Sequence, residues 1–245
     1  MDVAKQFWSN QVSSRHRLNT EEFFREKAKE HAGFFRDDER DVGCLDLGCG
    51  AGEILYFFSD YVKVEVAIDY SDSMISEAKN RLSGKEIDIL NRDLVEYLKI
   101  SKQEIWVTSA AINQYLDEGR LREILDFFCD NADAKGFFLY DCVDPIRIQM
   151  LPYGIGYMKP PHATGGKQAI RSLYRMVRRG LIAARFAAGS LGQTSQKLRG
   201  DGMGYGFLPR FWHEVADEKQ LEIEIVSSRY YEYRYHVLLR KTATA

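Results

Sequence analysis

The stretch Leu45-Asp46-Leu47-Gly48-Cys49-Gly50-Ala51-Gly52-Glu53 sets the reading of this 245-residue chain. It follows a short apolar run, Val42–Leu47, and opens a helical pattern. Glycines let the backbone turn tightly and approach a ligand closely. The helix start beyond them offers unpaired N–H groups, a natural place for polar ligand atoms. A dinucleotide-binding turn asks for G-x-G-x-x-G. Here Gly48, Gly50 and Gly52 give G-x-G-x-G, and Glu53 stands where that fingerprint needs its third glycine.

Outward from this turn, apolar runs alternate with helical periodicity. The runs are Val42–Leu47, Val62–Ile68, Ile87–Leu90, Ile105–Val107 and Phe137–Val143. Between them, Glu53–Tyr61, Asp72–Leu82, Leu94–Lys99 and Gly119–Asn131 carry helical spacing. Strand alternating with helix implies crossover connections and a parallel sheet covered on both faces. Ligands then bind beyond the C-terminal ends of the strands. After a break at 145–206 the rhythm resumes with Pro209–Gln220 as a helix, then Leu221–Ser228 and Tyr231–Arg240 as strands. The short connection Arg229–Tyr230 favours antiparallel pairing of those two. The expectation is an α/β fold: a seven-stranded, mostly parallel sheet with an antiparallel last strand. Residues 1–40 form an N-terminal helical cap, with an amphipathic helix over 15–32. Residues 41–144 form the cofactor-binding core, 145–206 an inserted basic helical segment, and 207–245 the end of the core.

Polar residues stand just after several strands. Asp69, in Val66-Ala67-Ile68-Asp69-Tyr70-Ser71, ends the second, where a carboxylate accepts from both hydroxyls of a ribose. Asn91-Arg92-Asp93-Leu94 follows the third. Thr108-Ser109-Ala110-Ala111-Ile112-Asn113-Gln114-Tyr115-Leu116 follows the fourth.

Taken in order, these stations resemble the class I, Rossmann-like S-adenosylmethionine-dependent methyltransferases, whose first motif is D/E-x-G-x-G-x-G. The resemblance covers residues 42–143 and 207–240. It implies S-adenosylmethionine as cofactor and S-adenosylhomocysteine as product. Asp46, Gly48, Cys49, Gly50 and Gly52 then form the glycine turn, and Asp69, Tyr70 and Ser71 the ribose station. Met74 packs on the adenine. Asp93 accepts from the adenine amino group and the Leu94 N–H meets a ring nitrogen. Ser109 and Gln114 lie at the methyl-donor end. The fourth station lacks the prolines of amino-methyltransferases that act on bases, and it lacks the Asp of metal-dependent catechol-type enzymes, so no metal is expected. The implied reaction is methyl transfer to a hydroxyl or amine of a small-molecule or sugar acceptor.

Methyl transfer from a sulfonium needs positioning, exclusion of water and, for a hydroxyl, a base. Asp141 near the end of the fifth strand, His162 in Pro160-Pro161-His162 and His213 in the following helix are the base candidates. The alternatives are RNA methylation, suggested by the basic segment, and an NAD(P)-dependent oxidoreductase, suggested by Asp69 standing 19 residues after Gly50.

Charge is unevenly divided. Residues 145–205 hold ten Lys and Arg against one acid, Asp201, a net of +9; the rest holds 24 basic and 35 acidic residues, a net of −11. An acidic body argues against a general nucleic-acid binder, and the basic segment points to a local anionic partner. Within it, Arg171, Arg175, Arg178 and Arg185 run beside the stripe Ile170, Leu173, Tyr174, Val177 and Leu181. Such a helix suits a lid, a clamp for a phosphate-bearing acceptor, or peripheral membrane contact at 167–191. Cys44, Cys49, Cys129 and Cys142 match no metal spacing, and with no signal-peptide pattern a cytoplasmic protein with reduced thiols is expected.

Overall fold

The first described helix, α1 (Glu21–Ala32), starts at Thr20, whose Oγ1 accepts the Phe23 N–H at 3.2 Å. The computed structural model describes residues 20–100, 106–110, 112–149, 184, 194–198 and 204–242. Most of the inserted segment, its basic helical stretch included, therefore lies outside the described residues, as do Gln6–Trp8, Arg15, Arg17, Tyr153, Tyr157 and His162.

The core alternates as its periodicity implies. Strand β1 (Cys44–Leu47) leads to α2 (Glu53–Phe58), β2 (Val64–Asp69) to α3 (Asp72–Arg81), and β3 (Asp88–Asn91) to α4 (Leu94–Ile100). Strand β4 (Trp106–Ala110) leads to α5 (Glu118–Asp130), and β5 (Gly136–Val143) to the short α6 (Pro145–Ile148). A small antiparallel pair follows, β6 (Ser195–Lys197) with β7 (Tyr205–Phe207). Helix α7 (Pro209–Lys219) and strands β8 (Leu221–Ser227) and β9 (Arg234–Lys241) complete the chain.

The seven-stranded sheet has the order β3-β2-β1-β4-β5-β9-β8. Strands β1 to β5 are parallel, and β9 runs antiparallel between β5 and β8. The last turn is longer than the two residues its sequence suggests, because β9 begins at Arg234 and Tyr231 and Tyr233 fold into the core instead. No described helix is long and apolar enough to cross a membrane.

Period-two alternation divides the core between the sheet's two faces. Leu45, Leu47, Phe137 and Leu139 pack with α5 and α7 on one face. Cys44, Trp106, Phe138 and Tyr140 pack with Ala28, Phe35 and Phe58 on the other. A polar chain stitches β7 to this core: the Trp212 Nε1–H donates to the Tyr235 hydroxyl at 2.8 Å, which donates to the Phe207 carbonyl at 2.5 Å.

Gly136 begins β5 because nothing larger fits. A Cβ there would lie 2.0 Å from Trp106 Cζ3 and 2.8 Å from the Leu239 carbonyl oxygen. Gly136→Ala must displace the indole and is expected to cost about 1–3 kcal/mol. Urea unfolding reads this as a lowered midpoint with unchanged slope. An unchanged midpoint would show that the ring moves aside freely.

Candidate functional site

The C-terminal ends of β1, β2, β4 and β5 open into one cleft, roofed by α1 and by the start of β9. Asp46, Gly48 to Ala51, Asp69, Tyr70 and Met74 line one part of it. Lys27, His31, Tyr140, Asp141, Tyr231 and Arg234 line another, with Thr108, Gln114 and Tyr115 beside them. Asp69 and Asp141 stand three strand spacings apart in the sheet, about 14 Å.

The glycine turn follows from its conformation. Gly48 has φ +74°, and a Cβ there would come 2.6 Å from Ile112 Cδ1. Gly50 has φ +55°, and its N–H donates to Asp69 Oδ2 at 3.0 Å. The Gly48 and Cys49 N–H groups both donate to the Ile68 carbonyl, so the turn is tied to the end of β2. Asp69 Oδ1 accepts the Ser71 N–H at 2.9 Å, and the Ser71 hydroxyl accepts the Met74 N–H at 3.4 Å to cap α3. Burial pushes the Asp69 carboxyl upward against these backbone hydrogen bonds.

Beneath the turn, Asp46 Oδ1 accepts the Thr108 hydroxyl at 2.8 Å. Burial raises the Asp46 carboxyl to about 6; the Thr108 hydrogen bond opposes the rise and the nearby Asp69 charge adds to it. Burial also holds the Cys49 thiol well above its ordinary range, so it is a protonated wall of the cleft.

The far part of the cleft holds a buried charge cluster. Lys27 Nζ donates to Asp141 Oδ1 and to Glu30 Oε2, each at 2.9 Å. Asp141 is the extra residue where the β5–β9 register shifts, and it has φ +56°. Its N–H donates to His236 Nδ1 at 3.2 Å and its carbonyl accepts from Arg234 Nη1 at 3.0 Å. These bonds hold a left-handed backbone that an Asp adopts at some cost. Burial raises the Asp141 carboxyl, but the charges of Lys27, His236 and Arg234 outweigh it and hold it far below the usual carboxylate range. Burial likewise acts upward on Glu30, and the hydrogen bond from His236 with the charge of Lys27 brings it to about 2.

The base candidates need correction. Asp141 stands at the cleft as expected, but the Lys27 ammonium keeps it ionised and reluctant to take a proton. His213 is exposed and is not among the residues lining the cleft. Helix α7 turns Phe211, Trp212, Val215 and Ala216 inward, which leaves position 213 to solvent. Of the other expected residues, Ser109 is buried in β4, and its hydroxyl has no hydrogen-bond partner among the described residues. Asp93 starts α4, where it accepts the Val95 N–H at 3.0 Å and lies 3.5 Å from Arg120. Asp93, Leu94, Ser71, Gly52 and Ser109 are not among the lining residues.

Lys27 and His31 were missed. Their signal was present: positions 27 and 31 are one helical turn apart, and they share the inward side of α1 with Ala28 and Ala32. Buried charges in such a stripe need partners, and Lys27 finds one in Glu30 on the same helix and the other in Asp141 on β5.

Residues 44–131 match the family model described as a methyltransferase domain. No curated protein sequence matches the chain. Among solved structures, the chain is similar to magnesium protoporphyrin IX methyltransferase from Synechocystis PCC 6803 with bound S-adenosylhomocysteine. That match has TM-score 0.59 and 11% identity, and covers 98% of this chain and 95% of that one. It is also similar to the N-methyltransferase NodS from Bradyrhizobium japonicum WM9 in complex with S-adenosyl-L-homocysteine, with TM-score 0.59, 13% identity, and 99% and 100% coverage. A S-adenosylmethionine-dependent methyltransferase from Leishmania major matches with TM-score 0.61, 10% identity, and 97% and 81% coverage. These likenesses establish the fold.

Proposed function

We propose that this chain, a S-adenosylmethionine-dependent methyltransferase of the class I fold, methylates a hydroxyl of a small organic acceptor. The cofactor supplies a methyl group activated on a sulfonium. One observation carries the reading: a single cleft runs from the glycine turn and Asp69 to a part walled by Tyr115, Tyr140 and Tyr231. In this reading Asp69 accepts from the ribose hydroxyls, Met74 covers the adenine, and Asp93 with the Leu94 N–H meets the adenine edge from the rim. Asp46, Gly48, Cys49 and Gly50 line the passage between. The aromatic walls suit a flat acceptor, either an arene or the face of a sugar ring. A phosphate-bearing or lipid-linked acceptor would draw on the basic residues of the 145–205 segment.

Incubation with radiolabelled S-adenosylmethionine and a panel of phenols, sugars, sugar phosphates and amines tests this. Transfer to hydroxyl acceptors supports the proposal. Transfer confined to amines, or to RNA, would overturn it.

Asp46 gives a pH dependence. Its folded carboxyl, at about 6, lies above its ordinary 3.8. The ligand-free fold therefore gains from this group below about 3.8, and loses that gain as pH rises through 6. A cationic cofactor favours the ionised carboxylate, so affinity for S-adenosylmethionine is expected to tighten between pH 5 and 7. Calorimetry across that range should show the slope in the wild type and a flatter one in Asp46→Asn. A flat wild-type profile would remove Asp46 from cofactor binding.

A further inference from the structure

We propose that His31 is the general base of the transfer, with its Nε2 receiving the proton of the acceptor hydroxyl. This deepens the hydroxyl reading above and rests on it.

His31 is 1% exposed, yet it lines the cleft. Its Nε2 has no hydrogen-bond partner among the described residues. A buried imidazole nitrogen without a hydrogen-bond partner costs free energy, and a partner that reaches it is favoured. A ligand O–H would supply that partner; three of the neighbouring donors are already engaged, and Arg234 Nε, like His31 Nε2, has no hydrogen-bond partner among the described residues. Lys27 is held by Asp141 and Glu30, the Asp141 N–H by His236 Nδ1, and Arg234 Nη1 by the Asp141 carbonyl.

The ring is fixed in place. It stacks on Tyr140 with centroids 3.9 Å apart and planes 7° from parallel, and the Tyr140 hydroxyl donates to the His31 carbonyl at 3.3 Å. Asp141 Oδ2 stands 3.9 Å from Nε2. This carboxylate stays ionised and stabilises the imidazolium that forms. In the reaction the acceptor oxygen bonds to the methyl carbon as the carbon–sulfur bond breaks and its electron pair stays on sulfur. The hydroxyl proton passes to Nε2 and leaves to solvent after product departs.

The groups facing the ring come from three elements. They are Lys27 and Glu30 on α1, Tyr140 and Asp141 on β5, and His236 on β9. Burial, then the Lys27 charge, hold the imidazole well below its ordinary value, against the pull of Asp141 and Glu30. The imidazole is therefore neutral at neutral pH, and the ionised Asp141 beside it favours the proton once it arrives.

The test compares His31→Phe, which keeps a flat ring on Tyr140, with the wild type. The acceptors, assayed at about pH 8, are phenol and 4-nitrophenol, the second already largely ionised there while phenol is not. The variant should bind S-adenosylmethionine within threefold of the wild type. It should methylate phenol about 100-fold more slowly or worse, the usual range for loss of a base, while 4-nitrophenol slows less than tenfold. His31→Gln should repeat the pattern if the Phe variant misfolds. Equal slowing of both acceptors, or of neither, would overturn the base assignment. A wild type that binds the cofactor but methylates neither phenol nor any sugar would overturn the hydroxyl reading beneath it.

Discussion

Asp69→Ala is expected to weaken S-adenosylmethionine binding by about 100-fold. In the folded chain each carboxylate oxygen of Asp69 already accepts one backbone N–H, Gly50 on Oδ2 and Ser71 on Oδ1. A carboxylate has about four acceptor sites, and the Tyr70 backbone also hydrogen-bonds to it, so at least one site remains for a ribose hydroxyl. A hydrogen bond to a charged group contributes about 1.5–3 kcal/mol. Loss of that bond, together with the backbone ties that shape the turn, costs about 2.7 kcal/mol, or two decades in Kd. The alanine also frees the Gly50 N–H, which loosens the glycine turn. Asp69→Asn keeps one acceptor oxygen and should fall between the two. Calorimetry on folded protein decides. A change under threefold would remove the ribose role, and NAD(H) binding by a wild type that ignores S-adenosylmethionine would replace the methyltransferase assignment with the oxidoreductase one.

Lys27→Met is expected to cost about 3–5 kcal/mol of stability at neutral pH, the usual result of removing one partner from a buried pair. Lys27 is 1% exposed and holds two carboxylates, Glu30 and Asp141, with no access to bulk water. The methionine fills much the same volume, so the loss is electrostatic and leaves Glu30 and Asp141 as buried anions with only His236 and Arg234 to offset them. The pH dependence gives the sign. In the wild type both carboxyls titrate below their ordinary values, so their stabilisation is present above about pH 4 and is lost as pH falls through the folded values, near 2 for Glu30. In the variant both carboxyls rise, while His236 and Arg234 still hold them down, so the stability lost relative to the wild type should be larger at pH 7 than at pH 4. Chemical unfolding at pH 4 and pH 7 measures this. A variant as stable as the wild type at pH 7 would show that water reaches the cluster and solvates it.

His31 and Lys27 also show why the far part of the cleft was hidden. Their positions in α1 were readable, and so was their helix. Their neighbours Asp141 and His236 stand more than 100 and 200 positions later in the chain, and only the sheet order brings β5 and β9 together under α1. The ammonium beside Asp141 was hidden for the same reason. A carboxylate at a strand end looks free in sequence, and the ammonium that fixes its ionisation arrives from another element.

The local rules were enough for the turn and the sheet. Gly48, Gly50 and Gly52 require positive φ that other residues resist, Asp69 ends a strand beside them, and period-two apolar runs sort themselves onto two faces. These are relations within a few residues, set by backbone sterics and hydrophobic pattern, so the sequence alone determined the fold class and the glycine–Asp69 station. The protonation of Asp46, Asp141 and His31 depends instead on burial and on charges brought close across the sheet. Coulomb attraction and desolvation act through space, and only the tertiary structure decided them.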